Sequence, residues 1–311
     1  MKLDIKSAVH TFDSDFQPKD NSSSEGKLDV ARCFSLIFLH AGCLGVIWVG
    51  WSWFAVWVAV FLYFTRMFAI TAFLHRYFSH RTFKTSRFMQ FLFAAAAGTA
   101  AQRGALWWAA HHRKHHRQSD QETDVHSPYT KGFWWSHIGW IASPKNFATD
   151  YDEIKDFAKY PELVFLNRFN KIVPILLGIG LYFFGSWVAV SWPGLETSGW
   201  QMVVWGFFIS TTVLFHGTQT INSLAHIFGS RRFDTQDQSK NNFWLSLITL
   251  GEGWHNNHHY HMHSTRQGFY WWEIDPTYYG LKIMSWLGLV SDLKPVPDRV
   301  LEEGRKRDST S

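Results

Sequence analysis

Cysteine is almost absent from this chain: Cys33 and Cys43 are the two in 311 residues, and both sit inside one apolar run. That excludes a disulfide framework, a cysteine zinc site and a cysteine-ligated iron–sulfur cluster. Charge is scarce too, at 18% of residues, below the roughly one quarter of an ordinary soluble domain. Early hydrophobicity is also missing. Residues 1–27 are polar, with Ser22, Ser23 and Ser24 and no periodicity, so 1–30 reads as a flexible cytosolic tail. What the chain has instead is aromatic side chains, 18% of the total with 18 Trp and 28 Phe, and 17 histidines. The mean hydropathy of -0.15 averages long apolar blocks with a polar, histidine-rich middle and hides both.

Four blocks are long and apolar enough to cross a bilayer: 31–49, 53–74, 172–192 and 200–222. Each approaches the roughly 20 residues that span the hydrocarbon layer. Trp48, Trp51, Trp53, Trp187, Trp192 and Trp200 stand at block ends, where aromatic belts form. Lys and Arg number five in 1–32, fourteen in 75–171 and ten in 223–311, and both hairpin connections carry none. The positive-inside rule then places both termini and the middle loop in the cytoplasm. The excess charge of +5 follows membrane side, and no nucleic-acid partner is expected. Residues 88–101 are apolar but short, and a fifth crossing there would separate His75 and His80 from His112, so they read as a surface helix. The competing reading is two buried hairpins of a large soluble protein, against which the lack of charge across the blocks argues.

The histidines fall into boxes. HRYFSH holds His75 and His80; HRKHH holds His112, His115 and His116; HNNHH holds His255, His258 and His259. The last two share positions 0, +3 and +4, a spacing that on a helix puts three rings on one face, within reach of a common centre. The repeated pattern selects His112 over His111, which also pairs with His115. His75 and His80 lie about 140° apart on an ideal helix and converge only where the helix ends or loosens. Eight imidazoles exceed what one metal takes, so two metals with four or five nitrogens each is the natural division, with Zn, Cu, Fe or Ni suited to the donor. Ligation also explains how the rings stay neutral among arginines. A soluble-type di-iron bundle needs two Glu-x-x-His pairs, and Glu252-x-x-His255 is alone in that spacing. Glu252, and Asp124 with His126 in ETDVHSP, are candidates for orienting ligand rings. Arg66 lies inside an apolar block and must face protein or reach the interface.

Boxes so spaced between two hairpins resemble the membrane fatty-acyl desaturases, most nearly the acyl-CoA Δ9 (stearoyl-CoA) branch, in a bacterial form without a fused cytochrome b5 domain. ITAFLHRYFSHRTFKTS, WWAAHHRKHH, SHIGW, INSLAHIFG and GEGWHNNHH carry the likeness, over roughly residues 35–295. The resemblance implies an all-α integral membrane protein: four transmembrane helices in two hairpins under a helical cytosolic cap that holds a His-ligated di-iron centre. The single domain would run 31–295, with loop 75–171 and cap 223–295, followed by a polar tail 296–311. It implies two Fe2+ ions and O2 as co-substrate. It further implies a cis double bond, Δ9, placed in a saturated C16–C18 acyl chain presented as acyl-CoA. Carried over by position, the metal ligands are the eight box histidines and His226, with Asn222 acting through water; Gln102, Trp108 and Thr218 line the substrate bend. One place departs. Animal relatives read Trp-Ala-Arg-Asp-His before box two, where Arg and Asp meet the CoA headgroup; here Ala110 and His111 replace them.

Electrons must come from outside, since neither a His-Pro-Gly-Gly haem motif nor a Gly-rich flavin fingerprint is present. A separate ferredoxin or cytochrome b5-like protein with its reductase is the implied partner, with Arg231, Arg232 and Lys240 as candidate contacts. Tyr63 and Met67, one turn apart on the second block, are candidates to close the far end of the acyl tunnel. A membrane hydroxylase using the same metals, and a non-enzymatic membrane metal-binding protein, are the alternatives. The expected home is the bacterial cytoplasmic membrane.

Overall fold

The computed structural model describes residues 13–15 and 30–308. The chain runs through α1 (Val30–Cys43) and α2 (Trp53–Ser79), then α3 (Arg87–Gly98) and α4 (Ala105–Gln118). After a string of short helices come α5 (Ile172–Ser191), α6 (residues 199–227), α7 (His255–Tyr260), α8 (Pro276–Trp286) and α9 (Asp298–Asp308).

Among the described residues, α2 and α5 are each long and apolar enough to cross a bilayer. The expected first block is interrupted: α1 stops after 14 residues, and Leu44–Gly45 forms a turn before Val46–Val49. Helix α6 is continuous, but Thr211, Thr212, Gln219 and Asn222 dilute its apolar character. All four nonetheless pack side by side through small residues. A Cβ on Gly42 would stand 2.1 Å from the Phe208 ring of α6, and one on Gly185 of α5 would stand 2.6 Å from Ser198 O. Ser52 starts α2 by accepting from Ala55 N (3.2 Å) and donates to Gln201 Oε1 at 2.7 Å, which ties the two hairpin connections together. Arg66 faces α6, not lipid, and donates to Ser210 Oγ at 2.6 Å and Thr211 Oγ1 at 2.7 Å.

The last eleven residues of α2, Ala69–Ser79, form a wholly buried π-helix. Beneath it Phe73 stacks on Phe93 of α3 at 3.9 Å, beside Tyr77, Phe78, Phe83 and Phe157. Helix α3 exposes Phe88, Phe91 and Leu92 while burying Phe93, Ala94 and Ala97, the two-sided burial of a surface helix. A two-residue strand, Lys84–Thr85, pairs antiparallel with Val290–Ser291 and joins the start of α3 to the end of the cap.

Both expected tails are partly folded. Most of 1–30 lies outside the described residues, but Ser14 N donates to Arg168 O (2.8 Å) and Asp15 accepts from Thr149 Oγ1 (2.9 Å). Residues 298–308, placed in a polar tail by composition, are α9 instead. Val300 is buried there against Phe233, Phe269 and Tyr270, partners that no local pattern reveals.

Candidate metal centre

Four elements converge at one end of the helix bundle: the π end of α2, α4, the end of α6, and α7. They bring nine histidines into two groups. His75, His80, His112, His116 and His258 form one; His115, His226, His255 and His259 form the other, and within each the ligand nitrogens lie within 4.8 Å of one another. The π-helix is what lets box one converge. Its i→i+5 register, seen in His80 N donating to His75 O at 3.2 Å, sets the rings 4.9 Å apart.

The 0, +3, +4 boxes do not send three rings to one centre. His112 and His116, whose Nε2 atoms are 3.0 Å apart, join the five-ring group, while His115 joins the other. Box three mirrors this: His255 and His259 enter the four-ring group and His258 the five-ring group. Positions +3 and +4 diverge by about 100° around a helix, so adjacent rings must part.

In the five-ring group the Nε2 atoms run His75, His258, His116, His112, His80, at 3.0, 2.9, 3.0 and 2.9 Å. His258 Nε2, His116 Nε2 and His112 Nε2 therefore each face two neighbours. An imidazole nitrogen carries one proton or one lone pair, so it cannot serve both as hydrogen bonds. Lone pairs gather in this way around a cation; nitrogens at right angles on a metal about 2.1 Å away sit about 3.0 Å apart. In the four-ring group His226 Nε2 is 3.1 Å from His255 Nε2, and His259 Nε2 is buried with no protein partner among the described residues. The donor set fits two metal ions, with five imidazoles at one position and four at the other.

Carboxylates hold the outer nitrogens, which aims Nε2 inward. His115 Nδ1 pairs with Asp124 (3.0 Å), His226 Nδ1 with Asp120 (2.8 Å) and His259 Nδ1 with Asp237 (2.8 Å), while His75 Nδ1 meets Glu252. Asp120 and Asp237 were not legible in advance, because Asp120 lies 106 residues from the ring it supports. Burial opposes ionisation of Asp120, but the hydrogen bond and charge of His226 outweigh it and bring the carboxyl down to about 2. Asp124 and Asp237 are likewise held below the usual carboxylate range, against burial, by His115 and His259. Burial, reinforced by neighbouring rings, pushes His112, His116, His255 and His258 well below the ordinary imidazole value. They stay neutral, as ligation requires.

Residues 51–282 match the family model for fatty acid desaturases. The chain belongs to the fatty acid desaturase family. It is 36% identical over 276 residues to the sn-1 stearoyl-lipid 9-desaturase of Anabaena variabilis, covering 88% of this chain and 96% of that one. It is 36% identical over 266 residues to an acyl-CoA 5-desaturase of Anemone leveillei, covering 84% and 78%. Delta-9 acyl-lipid desaturase 1 of Arabidopsis thaliana is 34% identical over 276 residues, with 86% and 84% covered. As a desaturase the chain is a metal-binding oxidoreductase of lipid metabolism, associated with membranes.

The remaining candidate residues of this desaturase separate into those near the rings and those elsewhere. Trp108 stacks on His112 with centroids 4.8 Å apart, and Gln102 Nε2 donates to Thr218 Oγ1 at 2.9 Å. Tyr63 donates to Ile248 O (2.7 Å), and both Tyr63 and Met67 abut Gly217, the neighbour of Thr218. Asn222 donates to Gln219 Oε1 at 2.9 Å. His111 packs between Trp107 and Trp140, with centroids at 4.5 and 5.9 Å. The basic trio proposed for a redox partner is largely committed inside the protein. Arg232 binds Glu273, Asp308 and Asn257 and is only 12% exposed, and Lys240 donates to Ile227 O at 2.7 Å. Folding of α9 onto the cap supplies Asp308 and removes Arg232 from the surface.

Proposed function

We propose that this desaturase places a cis double bond at carbon 9 of a saturated C16–C18 acyl chain, using two iron ions held by the nine histidines, with Asn222 acting through water. The observation that carries the reading is the division of nine imidazoles, six of them buried, into groups of five and four. Iron bound there supplies the O2-derived oxidant that an unactivated methylene requires. Per turnover the acyl CH2–CH2 unit, O2, two electrons and two protons become the alkene and two waters. The chain's own side chains hold the substrate. Trp108 against His112, with Gln102 joined to Thr218, sets the bend beside the five-ring group, and Tyr63 and Met67 close the tunnel near Gly217.

We read the acyl chain as lipid-linked, in place of the acyl-CoA that the motif resemblance implies. The arginine and acid that meet CoA in animal relatives are replaced, in that order, by buried Ala110 and by His111, wedged between two tryptophans. Burial, then Arg103 and Lys114, lower the His111 pKa to about 3, so it offers no charge to a CoA phosphate. Two of the relatives compared above are named for lipid-linked substrates. Helices α1, α2, α5 and α6 are taken as four spans, with both termini and the metal centre on the cytoplasmic side, in a bacterial cytoplasmic membrane. The Lys and Arg distribution supports this orientation. A separate ferredoxin or cytochrome b5-like protein delivers the electrons.

Expression in a host lacking the activity, with mass-spectrometric location of double bonds, tests the reading. Δ9 products should appear with the wild type and vanish with His112→Ala, His116→Ala and His258→Ala. A hydroxylated product would assign the chain to the hydroxylases instead. Purified protein should convert a labelled stearoyl phospholipid and leave stearoyl-CoA unreacted.

A further inference from the structure

The two ring groups differ in what stands behind them. In the four-ring group three of four histidines rest on carboxylates: His115 on Asp124, His226 on Asp120 and His259 on Asp237. The other partners of these acids are neutral donors or a further histidine. Asp120 accepts from Ser127 Oγ (2.6 Å) and Gln238 N (2.8 Å), and Asp237 from Ser239 N (2.8 Å) and Thr235 Oγ1 (3.1 Å). Asp124 accepts from Asp120 N (2.9 Å) and His126 N (3.2 Å), and lies 3.6 Å from the His126 ring.

The five-ring group is built differently. Among the described residues a single carboxylate, Glu252, backs one ring, His75, and its charge is met by Arg76 at 3.2 Å, which also pairs with Asp275 at 2.9 Å. The outer nitrogen of His258 faces the neutral amide of Gln267 at 3.4 Å. A second guanidinium, Arg113, donates to Phe78 O (2.8 Å) and Ser79 O (2.9 Å), next to His80, with its own charge met by Asp156 at 2.9 Å. Carboxylate-backed imidazoles are stronger, more imidazolate-like donors, and uncompensated negative charge favours a more highly charged metal.

We propose that the two metal positions are unequal by construction: the four-ring position, backed by Asp120, Asp124 and Asp237, takes up iron first and favours the ferric state, and the five-ring position fills second and favours the ferrous state. This rests on the di-iron reading above. Ligand number alone ranks the positions the other way, since five imidazoles outnumber four, so the order of filling reports the acids.

The test is an anaerobic titration of metal-free, bilayer-reconstituted full-length protein with Fe2+, followed by calorimetry, with Mössbauer spectra of the half-loaded sample before and after a ferricyanide titration. Two resolved steps are expected. Asp237→Asn and Asp124→Asn should each weaken the first step by about 10–100-fold and leave the second unchanged. Glu252→Gln should weaken the second step alone. Melting temperatures of the metal-free variants identify any that have merely unfolded, and the three substitutions need not all survive for the comparison to be made. In half-loaded protein, Asp237→Asn should make the iron harder to oxidise. Two equal steps in the wild type, or Asp237→Asn and Glu252→Gln acting on the same step, would overturn the inference. Failure to bind iron at all would instead sink the di-iron reading.

Discussion

Arg76 is 1% exposed and lies between Glu252 and Asp275, with a further hydrogen bond to Thr265 O at 2.8 Å. Removing one partner of a buried ion pair strands the other and costs about 3–5 kcal/mol. Arg76→Met should therefore lower the unfolding temperature of even the metal-free protein, whereas substituting exposed Lys84, paired with Asp292, should leave it nearly unchanged. Asp120 makes a pH prediction. Its carboxyl falls from 3.8 in the unfolded reference to about 2 in the fold. A depressed acid contributes stability above its unfolded pKa and loses it as pH falls through the folded one. Melting temperatures of metal-free protein should drop between about pH 4 and pH 2, with less of a drop in Asp120→Asn. The sequence made the box histidines visible, because repeated spacing singles out rings that chance does not cluster. It did not assign rings to metals, since HRKHH and HNNHH look identical until +3 and +4 diverge on real helices. Asp120 and Asp237 stayed hidden for another reason: an isolated acid in a loop carries no spacing signal.

At the scale of elements, the π-helical end of α2 is the decisive piece. Sequence spacing shows that His75 and His80 need a loosened helix, and Ala69–Ser79 supplies it without ending the helix. The apolar core beneath fixes its position: Phe93, 2% exposed, stacks on Phe73. Phe93→Ala should cost about 3–5 kcal/mol, read as lost thermal stability and lower iron occupancy. On the proposed reading, the contact between α2 and α6 sets product length. Met67→Ala should shift products toward longer chains, and Gly217→Val, whose Cβ would stand 2.6 Å from Tyr63 Oη, toward shorter ones. Fatty-acid profiles check both, and unchanged profiles would show that these residues only pack. Composition identified α3 as a surface helix because its apolar run is too short to span. The same reasoning missed α9, whose charged sequence conceals that Val300 and Gly304 dock on Phe233 and Tyr270.

On the scale of the whole molecule, apolar side chains face outward along α2 and α5, on α3 at Phe88, and around the cap at Trp244, Trp286 and Leu287. Patches this extensive are rare on soluble proteins and fit a cap seated against the lipid surface. The protein should therefore resist extraction from membranes by high salt or alkaline carbonate, which release peripherally bound proteins. The four apolar blocks were legible from length and charge, but the break at Leu44–Gly45 and the polar face of α6 appear only once the helices pack. The central claim is that nine histidines hold two irons for acyl desaturation. Its most direct measurement is iron content and double-bond position in one preparation, for the wild type, His258→Ala and His255→Ala. Two irons per chain with Δ9 product in the wild type, and near one iron without product in each variant, is the predicted result. Full iron and unaltered Δ9 product in both variants would contradict it.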